Sequence, residues 1–361
     1  MWFDALVIFA KAFLFLNAVL ILTSLLTWME RKQSAVMQDR LGANRASLFG
    51  IRAFGLFHIF ADALKMFFKE DFVPQGADRV LHALAPFAAL FFALMSFAAI
   101  PFGSSVEIAG RTIPLTVLPL NVGLLFILAM MSMGIFGTFL AGFSSNNKYA
   151  FMGGLRASSQ MISYEITMGA TLVGVLMIFG TLDLTEVNRA QGQLLWGWLP
   201  MWGIVVQPVG FLLFLTAGIA ETKRVPFDLP EGESEIIGYF VEYSSMKFGA
   251  FFMTDFVETI LIASLLATLF LGGWQVPYLH AGGFDFPWGA SMALPAIVVT
   301  LLQMAAFGIK VVALCWFLLL IRWTLPRFRY DQLMHLGWKI LLPISVLNIF
   351  ATGLVLLLLR R

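Results

Sequence analysis

The chain contains 361 residues, of which 60% are hydrophobic and only 12% are charged, and its formal net charge is +2. This composition excludes an ordinary soluble domain and is typical of a protein that crosses a membrane several times. The single cysteine, Cys315, and the scattered histidines offer neither an internal disulfide nor the ligand spacing of a metal site, so no metal is predicted.

Eight apolar windows along the chain are long enough to cross about 30 Å of hydrocarbon as helices. They cover residues 3–29, 81–101, 117–143, 160–180, 199–220, 247–271, 295–321 and 339–359. Because a spanning segment must satisfy its own backbone hydrogen bonds, the predicted fold class is an all-α polytopic membrane protein. We expect residues 1–361 to form a single membrane domain.

The loop after the first window contains one further helix, predicted at residues 52–69. Apolar side chains recur at helical spacing on one of its faces, whereas Asp62, Lys65 and Lys69 fall on the opposite face. A short, charged, amphipathic helix of this kind is expected to lie in the membrane interface rather than to span the membrane. A surface anchor without further function is the alternative interpretation.

Basic residues are concentrated in alternate loops. Most of the 23 lysines and arginines lie in the loops after windows one, three, five and seven, whereas the other loops contain only Arg111 and Arg189. Because cytoplasmic loops carry an excess of basic residues, this bias predicts that the odd-numbered loops face the cytoplasm. Both termini are then expected on the periplasmic side.

Residues 221–246 form an unusually acidic loop after the fifth window. Pro226 and Pro230 stop the helix there, and the freed backbone is tolerated at membrane depth only inside protein or along a cavity. The loop is therefore predicted to line a polar cavity that moves protons or holds a polar ligand, with a solvated loop as the alternative. Its carboxylates are Glu221, Asp228, Glu231, Glu233, Glu235 and Glu242.

Ionisable residues well inside the apolar windows include Glu165, Asp255, Glu258 and Lys310, whereas Asp4 and Lys11 lie near the start of the first window and are expected to reach the interface. An ionised side chain in mid-bilayer costs on the order of 2.5–3.5 kcal/mol, so such residues usually face a polar interior. Asp255 and Glu258 are one helical turn apart and should repel each other, so at least one is expected to hold a proton. This pattern favours proton transfer, and buried structural ion pairs are the alternative.

Several motifs together resemble one family, the membrane subunit of respiratory complex I that lies at the junction with the peripheral arm and is homologous to NADH dehydrogenase subunit 1. The motifs are Glu30-Arg31-Lys32, Ala61-Asp62-Ala63-Leu64-Lys65, Ile162-Ser163-Tyr164-Glu165, the segment Glu221–Glu235, and Pro326-Arg327-Phe328-Arg329-Tyr330-Asp331. The resemblance runs from about residue 28 to residue 343.

The resemblance implies a subunit of a proton-pumping NADH:quinone oxidoreductase that forms the quinone chamber. Glu30, Arg31 and Asp62 would lie at the quinone entrance, and Phe248 and Phe252 would form chamber wall. The acidic path that couples quinone reduction to proton translocation would contain Glu165, Glu221, Asp228, Glu231, Glu233, Glu235, Asp255 and Glu258. Ubiquinone or menaquinone would be the substrate, and no redox cofactor would be bound in this chain.

The implied partners are the peripheral-arm subunits of the quinone site, one bearing the terminal iron–sulfur cluster, together with small and antiporter-like membrane subunits. Lipid is expected around the chain, nucleic acid is not, and the implied location is the inner membrane of a bacterium. The chain departs from the family at Asp255, where the family commonly has glutamate. We hypothesise that Glu258, one turn away, compensates for the shorter side chain.

Two other functions remain open from the sequence. The chain is also similar to the membrane anchor of an energy-converting hydrogenase or formate hydrogenlyase, although the Glu-Arg-Lys and Pro-Arg-Phe-Arg-Tyr-Asp motifs favour complex I. A stand-alone secondary transporter with a broken helix after Glu221 is the third interpretation. Transporters usually contain inverted repeats, and none is visible in this sequence.

Overall fold

The computed structural model describes residues 2–108, 111–195, 197–229, 238–280 and 282–359. Its α-helices are α1 (Trp2–Met37), α2 (Phe57–Phe68), α3 (Arg79–Met95), α4 (Gly123–Ser144), α5 (Lys148–Phe179), α6 (Leu184–Gln191), α7 (Gly203–Val206), α8 (Pro208–Glu221), α9 (Ser245–Phe270), α10 (Ala296–Thr324), α11 (Tyr330–His335) and α12 (Leu342–Leu359). Its strands are β1 (Ser105–Ile108), β2 (Arg111–Pro114), β3 (Leu194–Leu195), β4 (Leu199–Pro200), β5 (Leu279–His280), β6 (Gly283–Asp285) and β7 (Ser291–Ala293).

The predicted all-α polytopic fold is confirmed. Within the described ranges, seven helical segments are long and apolar enough to cross a membrane, and α8 is a shorter apolar helix. A π-helical turn at Leu336–Leu341 joins α11 to α12, so these helices form one continuous segment. Some helices extend beyond their windows: α1 continues to Met37, and α5 begins at Lys148 rather than near residue 160.

The fifth window, residues 199–220, is broken into α7 and α8. Gln207 leaves the helical conformation with a φ of −140° and a ψ of 59°, and Pro208 then begins α8. Proline is favoured at the start of a helix because its missing N–H has no partner there anyway. At 1.5 Å per residue, α8 is about 21 Å long, which is shorter than the hydrocarbon core of a bilayer.

Helix α9 is the centre of the bundle. In its most apolar window 83% of the residues are buried, compared with 11% in α1. It packs against α1, α3, α8 and α10, while α5 joins α4, α8 and α12 on the other side. The charged side chains of Asp255 and Glu258 on α9 are therefore surrounded by protein rather than by lipid.

The predicted amphipathic helix is present as α2. The rings of Phe60, Phe67 and Phe68 are exposed, as expected for a face that meets lipid or another protein of an assembly. The helix contacts the start of α9, where the hydroxyl of Ser245 donates to the carbonyl oxygen of Met66 at 3.0 Å. Its position connects the membrane interface to the central helix.

The helices place different loops at the two ends of the bundle. At one end, Lys11 of α1 donates to the carbonyl oxygens of Pro114 and Thr116, after the antiparallel hairpin of β1 and β2. At the other end, Glu30 of α1 contacts Arg224, which follows α8. We call this second end the acidic end, because the loop that begins after Glu221 lies there.

Candidate functional site

A buried lysine lies between two carboxylates at the acidic end. The Nζ atom of Lys223 is 3.4 Å from Oδ1 of Asp255 and 3.3 Å from Oε2 of Glu258. Residues three apart share one face of a helix, so both carboxylates of α9 point to the same place. The side chain of Lys223 is only 2% exposed, and the three groups therefore form an ion cluster inside protein.

The chain reaches this cluster because α8 ends just before it. Lys223 follows Thr222 with a φ of 54°, in the left-handed region that glycine normally occupies after a helix. Burial acts to lower the pKa of the Lys223 ammonium, but the charges of Glu258, Tyr239 and Asp255 raise that pKa well above its ordinary value. These acidic neighbours therefore favour the protonated, charged form of Lys223.

Glu221 is the last residue of α8 and is 1% exposed. Among the described residues, neither of its carboxyl oxygens has a hydrogen-bond partner. A charged carboxylate without partners is costly in such a place, and a carboxyl group that holds a proton is much less so. The surroundings of Glu221 therefore favour the protonated form of its carboxyl group.

Helix α5 contributes two polar side chains beside Glu221. Glu165 is half-buried and accepts a hydrogen bond from the hydroxyl of Ser132 on α4. Gln160 donates to the carbonyl oxygen of Ala220 at 2.7 Å and to that of Phe227 at 2.8 Å. Gln160 thereby ties the end of α8 to the loop that follows it.

Asp228 is buried in the same loop and contacts the motif that begins at Pro326. Arg327, between α10 and α11, donates from Nη2 to Oδ2 of Asp228 at 2.8 Å. The rings of Phe227 and Phe328 stack beside this pair with centroids 5.4 Å apart. Two sequence motifs that lie about a hundred residues apart are therefore joined by an ion pair and a ring stack.

The residues predicted for the quinone entrance form two further groups of ion pairs. Oε1 of Glu30 lies 2.6 Å from Arg322 and Oε2 lies 3.1 Å from Arg224. Arg31 lies 2.6 Å from Asp62, and so joins α1 to the amphipathic helix α2. The first group is largely buried, whereas the second is more exposed.

The two phenylalanines predicted for the chamber wall are half-buried on α9. The rings of Phe248 and Phe252 are stacked with centroids 6.4 Å apart, and Phe252 packs edge-on against Phe256 at 5.1 Å. The guanidinium of Arg224 lies 3.8 Å from the centre of the Phe256 ring. This aromatic row therefore extends from the start of α9 to the ion cluster.

Some predicted residues lie elsewhere. Glu231, Glu233 and Glu235 fall outside the described residues. Lys310 does not join the acids: its ammonium donates to the carbonyl oxygens of Leu271, Gly273 and Gln275 at 2.7–2.9 Å, at the far end of α9. The cation of the acidic cluster is Lys223, which the sequence alone did not single out because it looked like an ordinary loop charge.

Comparisons with known proteins identify the family. Residues 10–353 match the family model described as NADH dehydrogenase. The chain is 45% identical to an NADH-quinone oxidoreductase H subunit of Geobacter sulfurreducens, over 96% of both chains. It is 41% identical to the NADH-quinone oxidoreductase H subunit of Thermomicrobium roseum, over 98% of this chain and 97% of the relative.

The chain belongs to the NADH dehydrogenase family. An NADH-quinone oxidoreductase H subunit from Cytophaga hutchinsonii, 42% identical over 92% of this chain and 91% of the relative, is a further member. Membership in the NADH dehydrogenase family confirms the resemblance that the motifs indicated, and the hydrogenase-anchor and transporter interpretations are set aside. With its apolar helices, the chain is an integral membrane subunit of the NADH-quinone oxidoreductase type.

Proposed function

We propose that this chain is the H-type membrane subunit of a proton-pumping NADH:quinone oxidoreductase, respiratory complex I, in which it receives a quinone from the membrane and couples quinone reduction to proton translocation. The observation that carries the proposal is the buried carboxyl of Glu221, unpartnered among the described residues, beside the ion cluster of Lys223, Asp255 and Glu258. Intramembrane ionisable groups of this kind mark proton pathways more often than structural sites.

The quinone would enter beside α1 and α2. The exposed apolar face of α2 provides a route from the lipid, and the Arg31–Asp62 pair provides polar groups at the same place. Phe248 and Phe252 continue inward along α9 as an apolar wall, which suits the ring and isoprenoid tail of ubiquinone or menaquinone. The quinone is substrate, and the electrons come from a partner protein of the peripheral arm that bears the terminal iron–sulfur cluster.

The acidic path begins where this wall ends. Reduction of a quinone takes up protons together with electrons, which changes the charge in the chamber. The loop that carries Asp228 and the acids up to Glu235 responds to this charge, and Glu221, Glu165 and the α9 pair relay the change toward small and antiporter-like membrane subunits. Electrostatic coupling over these short distances is strong because the cluster is buried.

The proposed location is the inner membrane of a bacterium, with the acidic end and its basic loops on the cytoplasmic side. The peripheral arm would dock at this end. Both termini would then be periplasmic, as the distribution of lysine and arginine predicts. Residues 1–361 would form a single membrane domain.

The test is Glu221→Gln in the complete complex, in its own membrane vesicles. NADH-driven proton translocation is expected to fall at least about tenfold, equal to ~1.4 kcal/mol in the barrier. Electron transfer from NADH to a water-soluble artificial acceptor reports that the peripheral arm remains assembled. Glu186→Gln, at an exposed position of α6, is the matched control. Normal translocation in the Glu221 variant would exclude this carboxyl from the path.

A further inference from the structure

We infer that Lys223 is a positioning residue: it holds Asp255 and Glu258 together as an ionised pair and ties their charge to the position of the loop that follows α8. This inference rests on the proposed function, which needs a protonatable path, and it adds a cation to a path that was built of acids alone. It also separates two places of proton exchange: Glu221 itself, and the α9 pair, which stays fully ionised only while Lys223 is in contact with it.

The geometry of the pair requires a cation. Asp255 and Glu258 are one turn apart on the most deeply buried helix, and both side chains are largely shielded from solvent. Two carboxylates so placed would repel, and one would take a proton. The ammonium of Lys223 lies at nearly equal distances from both, 3.4 Å and 3.3 Å, so it balances the two charges together rather than forming a pair with one.

The other charged groups around the cluster complete this balance. Arg224, one residue further along the loop, contacts Glu30 together with Arg322 of α10. Among the described residues, the acids Glu30, Asp255 and Glu258 thus lie close to the bases Lys223, Arg224 and Arg322. Glu165 on α5 is hydrogen-bonded to Ser132, and the ring of Tyr239 lies near Lys223, whose Nζ is 5.9 Å from the ring centre. Of the buried carboxyl groups in the described part of the chain, Glu221 is the one whose two oxygens both lack a hydrogen-bond partner.

The backbone conformation at Lys223 is unusual for a lysine. A left-handed residue after a helix is ordinarily glycine, which adopts this conformation without a steric penalty. Here a lysine has a φ of 54°, and this turn sends its side chain back into the bundle toward α9. The loop therefore inserts its own cation into the helix pair.

This arrangement couples the position of the loop to the protonation of the α9 pair. Lys223 lies two residues after Glu221 and five before Asp228, which Arg327 anchors. A displacement of the loop withdraws the ammonium from the α9 pair, and one of the two carboxyls must then take up a proton. Return of the loop expels that proton. Loop position and protonation are thereby linked in both directions, as any thermodynamic coupling must be.

The test compares Lys223→Met, Lys223→Arg and the double variant Lys223→Met/Glu258→Gln in the complete complex. In Lys223→Met the acidic limb of the pH profile for NADH-driven proton translocation should move to higher pH by at least about one unit, because an opposite charge at this distance has an effect of that size. The double variant restores the charge balance and should return the limb toward that of the wild type. Lys223→Arg should have the same acidic limb as the wild type, because it keeps the positive charge.

Lys247→Met is the matched control, since Lys247 lies on α9, the helix of Asp255 and Glu258, and pairs with Asp71 outside the cluster. Its pH profile should equal that of the wild type. An unchanged profile in Lys223→Met, or a double variant no better than the single one, would overturn the role of Lys223. If Lys223→Met does not assemble, assembly of the double variant supports the inference and its failure contradicts it.

The inference and the proposed function fail in different ways. If Glu221→Gln abolishes translocation while Lys223→Met leaves the pH profile unchanged, the acidic path stands and Lys223 is merely structural. If Glu221→Gln has no effect, the path itself is wrong.

Discussion

Arg327 donates to the buried carboxylate of Asp228 at 2.8 Å, and this contact fastens the loop after α8 to the connection between α10 and α11. The carboxylate is buried, whereas the arginine is about two-fifths exposed. The pair joins two loops at the acidic end. It thus limits how far the loop can move.

Arg327→Gln is expected to destabilise the acidic end, because it removes the ion pair between Arg327 and the buried carboxylate of Asp228. The cost is about 2 kcal/mol, reduced from the value for a fully buried pair because the arginine is partly exposed. Thermal inactivation of quinone reduction by the complex should occur at lower temperature. Arg329→Gln, whose partner Asp331 is fully on the surface, is the control and should have little effect.

Asp62→Asn is expected to weaken quinone entry without stopping the chemistry. The Arg31–Asp62 pair joins α1 to α2 and is partly exposed, so its loss should cost no more than about 1 kcal/mol. The KM for quinone should rise by up to about fivefold while kcat stays nearly constant. Steady-state kinetics with a short-chain quinone measure this, with Asp285→Asn at the opposite end as control. A large fall in kcat with constant KM would place Asp62 elsewhere in the mechanism.

Lys310→Met is expected to reduce stability and leave the coupling ratio unchanged. Its ammonium satisfies three carbonyl oxygens beyond the end of α9, and burial of these groups without a donor costs about 2–3 kcal/mol. The variant complex should dissociate at a lower detergent concentration. Its ratio of protons translocated to electrons should be normal, whereas a lowered ratio would put Lys310 in the proton path. Lys339→Met, at an exposed position, is the control.

Gly137→Ala is expected to separate α3 from α4. An added Cβ atom would lie 2.6 Å from the backbone nitrogen of Ala89, which is closer than real contacts allow. At Gly134, one turn earlier on α4, an added Cβ atom would meet no other atom within 4 Å. Gly134→Ala should therefore be neutral or slightly stabilising. The amount of assembled complex in membranes, measured by native electrophoresis, distinguishes the two. Equal amounts would show that the helices adjust freely.

The sequence predicted the fold class and the shared face of Asp255 and Glu258, because helical periodicity and apolar length are local properties. It could not show that Gln207 and Pro208 break the fifth window, since a proline inside an apolar run also occurs within intact membrane helices. It did not identify Lys223 either, because its role depends on a left-handed turn and on a helix thirty residues away.

Lys310 is a second residue whose contacts could not be predicted from the sequence. Its position in an apolar window made an ion pair with the membrane acids a reasonable alternative. The structure places it near the far end of α9 instead, where its ammonium donates to three carbonyl oxygens and lies 4.6 Å from the centre of the Trp202 ring. Which acids and bases meet is a property of the packing of helices, and spacing along one helix does not determine it.

The most direct measurement is the infrared difference spectrum of the complete complex on quinone reduction, compared between the wild type and Glu221→Gln. Protonated carboxyl groups absorb separately from carboxylates, so the spectrum reports whether a buried acid changes its protonation. We expect a carboxylic acid band that changes on reduction in the wild type and is missing in Glu221→Gln. A band that is the same in both would contradict the proposal that the carboxyl of Glu221 carries the proton.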